Sequence, residues 1–374
     1  MKLMLNGSWN VSYEQETTGR DRQEIVFTVP GNLELALAAA GKAPAPYYGL
    51  NAQAFRPYEF YRWTFRRTFE CATVPRRCEL VLERIEPESE IYLNGELLGR
   101  ADNGLVAHRF DCSKQLRAGQ NELLVRMGSC VNAQRRRKLN PAFYSAYPFN
   151  YEVMWCRKGA HCWGWDIAPR LALGGIWGDV YVEEIAEHRF TDIYIQTMKL
   201  EAGRAKLGVH YNFETALPDF SGLELQIDGR CEDSVFSSRT DVWLNMGFVS
   251  LTVDQPRLWQ VRNYGKPWLY DVTLTLLHHG RPLAETRTKV GIRTLELKRE
   301  DVECVPGENA FAFVVNGQTI HIQGTNHVPL DALHSRDRDR LPEFLKMLRD
   351  LNCNMVRVWG GGVYEDDIFY DLCD

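Results

Sequence analysis

The sequence has no long hydrophobic run, and this absence excludes a helical membrane protein at the outset. None of its apolar stretches approaches the ~20 consecutive residues that a helix needs to cross a bilayer. The first residues also lack the apolar core of a signal peptide, because Asn6, Gly7 and Ser8 follow Lys2 closely. We therefore expect a cytoplasmic protein with no membrane partner.

A strong charge of one sign is absent as well. The 374 residues contain 44 Lys and Arg against 49 Asp and Glu, a formal net charge of −5. Proteins that bind nucleic acid usually carry a basic excess, so no nucleic acid partner is expected. The longest basic run, Arg-Arg-Arg-Lys at 135–138, is typical of a solvated or locally paired loop.

Several motifs that would indicate a cofactor or a nucleophile are missing. No Gly-x-Gly-x-x-Gly follows a strand, no Gly-x-Ser-x-Gly elbow occurs, and the glycines at 360–362 lack a following Lys-Ser/Thr. Without a secretion signal, the ten cysteines are expected to remain thiols. Cys156, His161 and Cys162 lie close in sequence, but no second Cys-x-x-Cys pair completes a four-ligand set. The sequence therefore predicts no cofactor and no metal site.

The first half of the sequence consists of short segments with the periodicity of β-strands. Tyr61, Trp63 and Phe65 alternate with polar residues, and Asn94-Gly95 separates two apolar segments, as in a hairpin. One short apolar helix is predicted over 33–40. Closely spaced strands with few helices favour a β-sandwich, which we assign to residues 1–188.

The next region, residues 189–297, has longer and more regular alternation. About a hundred residues of such strands fit one immunoglobulin-like β-sandwich. Its polar positions form no convergent set of acid, base and nucleophile, so a spacer role is expected. The alternating apolar residues include Leu207, Val209, Tyr211, Phe213, Leu223, Leu225, Ile227, Val249, Leu251, Val253, Val272, Leu274 and Leu276.

Residues 298–374 have a different pattern, in which strands alternate with helices. An apolar strand is predicted at 320–324, a helix at 341–351, a strand at 354–359 and a helix from about Glu365. Strand and helix in alternation indicate β/α units. The predicted fold is therefore mainly β, with two sandwiches followed by the first two β/α units of an incomplete (β/α)8 TIM barrel.

Two runs of residues resemble one enzyme family. The run at 352–365, Asn-Cys-Asn-Met-Val-Arg-Val-Trp-Gly-Gly-Gly-Val-Tyr-Glu, is similar to the second barrel strand of β-mannosidases in glycoside hydrolase family 2. The first region resembles the jelly-roll, sugar-binding domain that opens these enzymes. Where β-mannosidases usually have Phe-Gly-Trp-Asp-Trp-Gly-Pro, this sequence has Trp163, Ile167 and Ala168 at three of the seven positions.

The resemblance implies the N-terminal part of a retaining exo-β-glycosidase that acts on terminal β-linked sugars. In the family, the acid/base glutamate follows the fourth barrel strand and the nucleophile the seventh. Both would lie beyond Asp374, so no catalytic residue is assigned within the chain, which alone is expected to be inactive. Because these three residues differ from the β-mannosidase pattern, a β-galactosidase or β-glucuronidase specificity remains an alternative. A non-catalytic carbohydrate-binding protein is the alternative from another functional class. Assembly into a homo-oligomer is also an open alternative.

Five residues are candidates for binding the carbohydrate. Asp166 could accept hydrogen bonds from two neighbouring hydroxyls, with capping of a local turn as the alternative. Trp359 could stack on a pyranose, or pack at the barrel rim. For Asn326 a binding and a structural role are both open. Trp163 and Trp165 could touch sugar or pack against the barrel.

Four charged residues near the candidates are predicted to be structural. The consecutive acids at 365–367 are attributed to the positive end of a helix. Arg357 is expected to form an ion pair with another barrel strand.

Overall fold

The computed structural model describes residues 2–137, 151–299 and 311–374, and its regular structure is mainly β-sheet. The chain divides into two compact units. The first unit contains residues up to 185 together with 326–346 and 357–373, and the second contains 186–325 and 347–356. None of the helices in the described residues is long and apolar enough to span a membrane. Lys138, the last residue of the basic run, lies outside the described residues.

The first unit contains ten strands in two antiparallel sheets. The larger sheet has the order β3-β2-β4-β9-β6-β7 and the smaller β1-β10-β5-β8. The strands are β1 (Lys2–Met4), β2 (Gly7–Gln15), β3 (Gln23–Val29), β4 (Tyr61–Cys71), β5 (Cys78–Leu82), β6 (Ser89–Leu93), β7 (Glu96–Ala101), β8 (His108–Asp111), β9 (Gly119–Met127) and β10 (Val180–Glu184).

Both sheets contribute to one hydrophobic core, which makes this unit a β-sandwich. Trp9 and Phe65 of the larger sheet and Leu80 and Val182 of the smaller sheet belong to the same buried cluster. The predicted alternation explains this core, because every second side chain of a strand points to the same face. Leu333, far along the chain, also belongs to it with no exposed surface.

The predicted hairpin and the predicted short helix are both present. Asn94 and Gly95 have φ values of 52° and 87°, which suit the tight turn between β6 and β7. Helix α1 (Leu33–Ala39) and helix α2 (Cys130–Arg135) lie between strands. The Ser129 hydroxyl caps α2 by accepting from the Asn132 N–H at 3.0 Å. Short 3-10 helices cover Asn51–Phe60, Tyr151–Met154, Ala160–Trp163 and His334–Arg336.

The second unit contains ten further strands in three sheets. Their orders are β11-β12-β15, β14-β13-β16-β17 and β18-β19-β20. The first two sheets share one buried core, so they too form a sandwich. The strands are β11 (Arg189–Glu201), β12 (Arg204–Glu214), β13 (Leu223–Cys231), β14 (Ser234–Asp241), β15 (Met246–Asp254), β16 (Tyr270–His278), β17 (Arg281–Val290), β18 (Leu295–Arg299), β19 (Phe311–Val315) and β20 (Gln318–Ile320).

The last part of the chain is a strand, a helix, a strand and a helix. These are β21 (Gly324–His327), α3 (Asp337–Asp350), β22 (Met355–Val358) and α4 (Asp367–Cys373), and β21 pairs with β22. The strand predicted at 320–324 therefore needs correction, since residues 321–323 are not in a strand and β21 begins at Gly324. A Cβ at Gly324 would lie 2.2 Å from the Met355 carbonyl oxygen, so glycine permits close strand pairing here rather than ending the strand.

The acidic residues before α4 have specific partners, which corrects the helix-dipole interpretation for two of the three. The Glu365 carboxylate lies 2.9 Å from Nε2 of the buried His327. Asp366 forms an ion pair with Arg84 at 3.1 Å. Only Asp367 lies in the first turn of α4.

Candidate functional site

A cavity of about 390 Å³ lies in the first unit, within the size range of small-molecule sites. It is formed by residues from two stretches of chain, 161–169 and 328–340, together with Tyr47 and Trp359. The lining residues are Tyr47, His161, Trp165, Ile167, Ala168, Pro169, Val328, Pro329, Leu330, Asp331, Ala332, Arg336, Arg340 and Trp359.

Two predicted tryptophans meet in this cavity. The rings of Trp165 and Trp359 have centroids 5.4 Å apart and are inclined by 49°. A tight turn holds Trp165, because its N–H donates to the Ala168 carbonyl at 2.9 Å. Trp359 follows β22 and donates its N–H to the His327 carbonyl at 2.9 Å. The structure therefore brings two aromatic faces together at the end of a strand.

Gly361 gives the Trp359 ring its space. A Cβ at residue 361 would lie 2.2 Å from the ring of Trp359. Glycine at position 361 is therefore explained by the space that the Trp359 ring needs, and not by phosphate binding.

Asp331 is the centre of a polar network on the cavity wall. Its Oδ1 accepts hydrogen bonds from the Tyr47 hydroxyl and from the Leu333 N–H at 3.0 Å. Its Oδ2 lies 2.8 Å from Arg340 and 3.3 Å from Arg336. Burial and the bond to Asp331 raise the pKa of Tyr47, so the hydroxyl remains a donor. The Asp331 carboxylate therefore has four donors, and these contacts fix the position of the cavity wall.

The other three candidates lie outside the lining. Asp166 is exposed and stands between the lining residues Trp165 and Ile167. Asn326 is exposed and accepts a hydrogen bond from Arg357 at 3.1 Å. Arg357 is exposed as well, and its partner here is this amide rather than the expected counter-charge.

Trp163 is buried, with 1% of its surface exposed, in a small core that includes Cys156 and Ala172. The Arg170 guanidinium lies 4.8 Å and the Lys158 ammonium 5.6 Å from its ring centroid. Trp163 therefore packs in this small core and does not line the cavity.

Two buried ion pairs stabilise the loop that carries Trp165. The Arg170 guanidinium donates to both oxygens of Glu59, at 2.9 and 2.7 Å. Lys158 lies 2.5 Å from Glu86 and donates to the Ala172 carbonyl at 2.7 Å. Because both ends of the loop are fixed by buried charges, the cavity wall at Trp165 is preorganised.

The lining contains no pair of carboxylates that could catalyse glycoside hydrolysis. Retaining glycosidases use two carboxyl groups ~5–5.5 Å apart. Asp331 is the one acidic residue that lines the cavity within the described ranges, and its oxygens are occupied. The described lining of this cavity therefore lacks the carboxylate pair of a retaining glycosidase.

Two family models match the chain and define its class. Residues 9–178 match the glycosyl hydrolase 2 galactose-binding domain-like model, and residues 188–293 match the model of glycosyl hydrolases family 2. This chain belongs to glycoside hydrolase family 2.

Within that family the chain is similar to β-mannosidases. It is 30% identical over 355 residues to β-mannosidase B of Thermothelomyces thermophilus, covering 93% of this chain and 41% of that relative. It is 27% identical to β-mannosidase of Mus musculus, covering 99% and 43%. The crystal structure of β-D-mannosidase from Dictyoglomus thermophilum superposes with a TM-score of 0.84 at 28% identity, covering 100% and 46%. The chain spans less than half of the length of these relatives.

Proposed function

We propose that this chain forms the N-terminal part of a retaining exo-β-mannosidase, and that its cavity binds the terminal sugar. The observation that carries the proposal is the meeting of Trp165 and Trp359 in a cavity of suitable size, in a chain similar to β-mannosidases. An exposed tryptophan face suits the apolar C–H face of a pyranose. The polar wall around Asp331 supplies Arg336 and Arg340 as donors to hydroxyl oxygens.

Asp166 is proposed as the carboxylate that binds sugar hydroxyls. It is exposed at the tip of the turn closed by Trp165 and Ala168, beside the cavity. Hydrogen bonds to an ionised carboxylate are about twice as strong as neutral ones. Asn326 is proposed to contribute a weaker polar contact near the same end of the strand pair.

The catalytic glutamates belong, in this proposal, to a complete (β/α)8 barrel of which β21, α3, β22 and α4 are the first two units. Active sites of such barrels lie at the carboxyl ends of the strands. Trp359 directly follows β22, and Asn326 lies in β21. Both positions support a sugar site at that end of the barrel.

The experiment is hydrolysis of aryl β-mannoside by the full-length enzyme, with β-galactoside and β-glucuronide as competing specificities. We expect β-mannoside to be the best substrate and the first product to retain the β-configuration in proton NMR. Trp359→Ala should lower kcat/KM at least about tenfold, a loss of ~1.4 kcal/mol. Trp243→Ala is the matched control, because Trp243 is 74% exposed and lies in the second unit.

Two results would contradict the proposal. A preference for β-galactoside or β-glucuronide would reject the specificity. An unchanged kcat/KM in Trp359→Ala would show that this cavity does not hold the reacting sugar.

A further inference from the structure

Three side chains that commonly bind transition metals meet inside the first unit. One ligand atom of each of His161, Cys162 and His334 lies within 4.8 Å of the other two. All three residues are buried, with exposed fractions of 3%, 4% and 8%. His161 and Cys162 lie in one short 3-10 helix and His334 in another, about 170 residues later in the chain.

The two imidazoles have buried nitrogens without a partner among the described residues. These atoms are Nδ1 of His161 and Nε2 of His334. A buried polar atom left without a hydrogen bond costs about 1–3 kcal/mol, so such atoms usually have a ligand, an ion or a water. The rings approach edge to face with centroids 4.6 Å apart.

Gly159 brings the backbone close to the same two rings. A Cβ at this position would lie 2.9 Å from Cε1 of His161 and 3.1 Å from Nε2 of His334. A side chain here would fill the space that the unpartnered nitrogens face.

The His334 ring also makes the additional hydrogen bond that metal-binding histidines usually make. Nδ1 of His334 lies 2.8 Å from a carboxylate oxygen of Asp337. Histidines that bind metals usually donate their other ring N–H to a carboxylate or carbonyl in this way.

The ligand atoms lie somewhat farther apart than in an occupied site. All three lie within 4.8 Å of one another. Two ligands of one zinc ion, with Zn–S of ~2.3 Å and Zn–N of ~2.0 Å, are about 3.5 Å apart. A cavity of about 10 Å³, room for roughly one water, is lined by Gly159, Cys162 and His334. The Lys158 ammonium also lines it, but is held by Glu86 at 2.5 Å.

We propose that His161, Cys162 and His334 bind a zinc ion, with Asp337 orienting His334. Two imidazoles and a thiolate select zinc over calcium or magnesium, which prefer oxygen ligands. Binding would move the imidazoles inward by about 1 Å and release the Cys162 thiol proton. The ion would join the loop that carries Trp165 to the segment that carries Asp331, and so fix two walls of the cavity. This role is structural and does not depend on the proposed glycosidase activity.

The test is cobalt and zinc binding by the chain, purified without a histidine tag and stripped with a chelator. We expect one Co²⁺ per chain, with tetrahedral ligand-field bands and a thiolate-to-cobalt charge-transfer band, and displacement by Zn²⁺. Cys162→Ser should abolish the charge-transfer band, and His334→Gln should weaken binding at least about tenfold. Asp337→Asn should weaken it by about 10–100-fold. Cys156→Ser, which removes a buried cysteine outside the cluster, is the control and should bind normally.

Circular dichroism before and after chelation establishes that each protein is folded. If chelation unfolds the wild-type chain, the zinc content of the untreated chain, measured by atomic emission, replaces the titration and should be one per chain. Folded wild-type protein that binds less than stoichiometric metal would overturn the proposal and leave a buried water as the partner of the two nitrogens. A charge-transfer band that survives Cys162→Ser would overturn it as well.

Discussion

Replacing Glu86 with glutamine should strongly destabilise the first unit, because it leaves a buried ammonium without its counter-charge. The side chains of Lys158 and Glu86 are 6% and 2% exposed, and their charged atoms lie 2.5 Å apart. Burial alone would lower the pKa of Lys158, but attraction to Glu86, together with smaller effects of the neighbouring buried cysteines, outweighs it and raises the pKa. The lysine therefore stays charged in the folded protein.

The magnitude follows from this geometry. Removing one partner of a buried ion pair costs about 3–5 kcal/mol, because the remaining charge is not solvated. With a urea dependence of about 2 kcal/mol per molar, the midpoint of unfolding should fall by about 1.5–2.5 M. The exposed pair Arg100–Glu90 provides the control, because Arg100 is 73% exposed. Arg100→Met should change the free energy of unfolding by less than about 1 kcal/mol.

The assay is urea unfolding followed by tryptophan fluorescence, which is sensitive here because Trp163 lies 5.6 Å from the Lys158 ammonium. Glu86→Gln, Lys158→Met and the double variant form a cycle. The double variant should be less destabilised than the sum of the single variants, since it leaves no unpaired charge. A Glu86→Gln midpoint equal to that of Arg100→Met would refute the reasoning.

Four further predictions concern activity, pH and local stability. The 374-residue chain alone should not hydrolyse aryl β-mannoside or β-galactoside, and turnover that copurifies with the chain would contradict this. In the full-length enzyme, Asp166→Ala should lower kcat/KM by roughly 30- to 1,000-fold, equivalent to ~2–4 kcal/mol, whereas a lower melting temperature with normal kinetics would indicate a turn-capping role. Burial raises the pKa of the Glu34 carboxyl to about 7, so its contribution to stability, present below about pH 4.5, should be lost as the pH rises to 7. Glu34→Gln should remove that loss, about 3 kcal/mol by pH-dependent urea unfolding, and an unchanged pH profile would count against it. Hydrogen exchange should be fastest in residues 311–374 outside the segment at Ala332 and Leu333, since Leu351 is 73% exposed, and protection equal to that of the sandwiches in a monomer would argue the opposite.

The parts of the fold that were predictable depend on local pattern. Alternating residues such as Trp63 and Phe65 indicate strands because the side-chain period of a strand is two, and Asn94-Gly95 indicates a tight turn because both residues tolerate positive φ. Trp165 and Trp359 could be predicted as site residues because the motifs around them resemble those of β-mannosidases. None of these inferences requires knowledge of distant contacts.

The residues that sequence reasoning missed are defined by such contacts. Tyr47 belongs to the cavity because its hydroxyl reaches Asp331, 284 residues later. His334 joins His161 and Cys162 although no motif connects them. Glu365 looked like a helix-start acid because its partner, His327, lies 38 residues earlier. In each case the missing information is a tertiary pairing, which no local sequence pattern shows.

The position of Leu333 in the core of the first sandwich has a consequence for synthesis of the protein. The other core residues of that sandwich end at Val182, whereas Ala332 and Leu333 follow about 150 residues later. The Ser335 N–H also bonds to the Asn32 amide at 3.1 Å. At about 5–20 residues per second, the ribosome needs roughly 8–30 s to supply these residues after the last strand of the sandwich. During that interval the nascent sandwich exposes apolar surface, which makes it a substrate for chaperones and a point at which premature release would lead to aggregation.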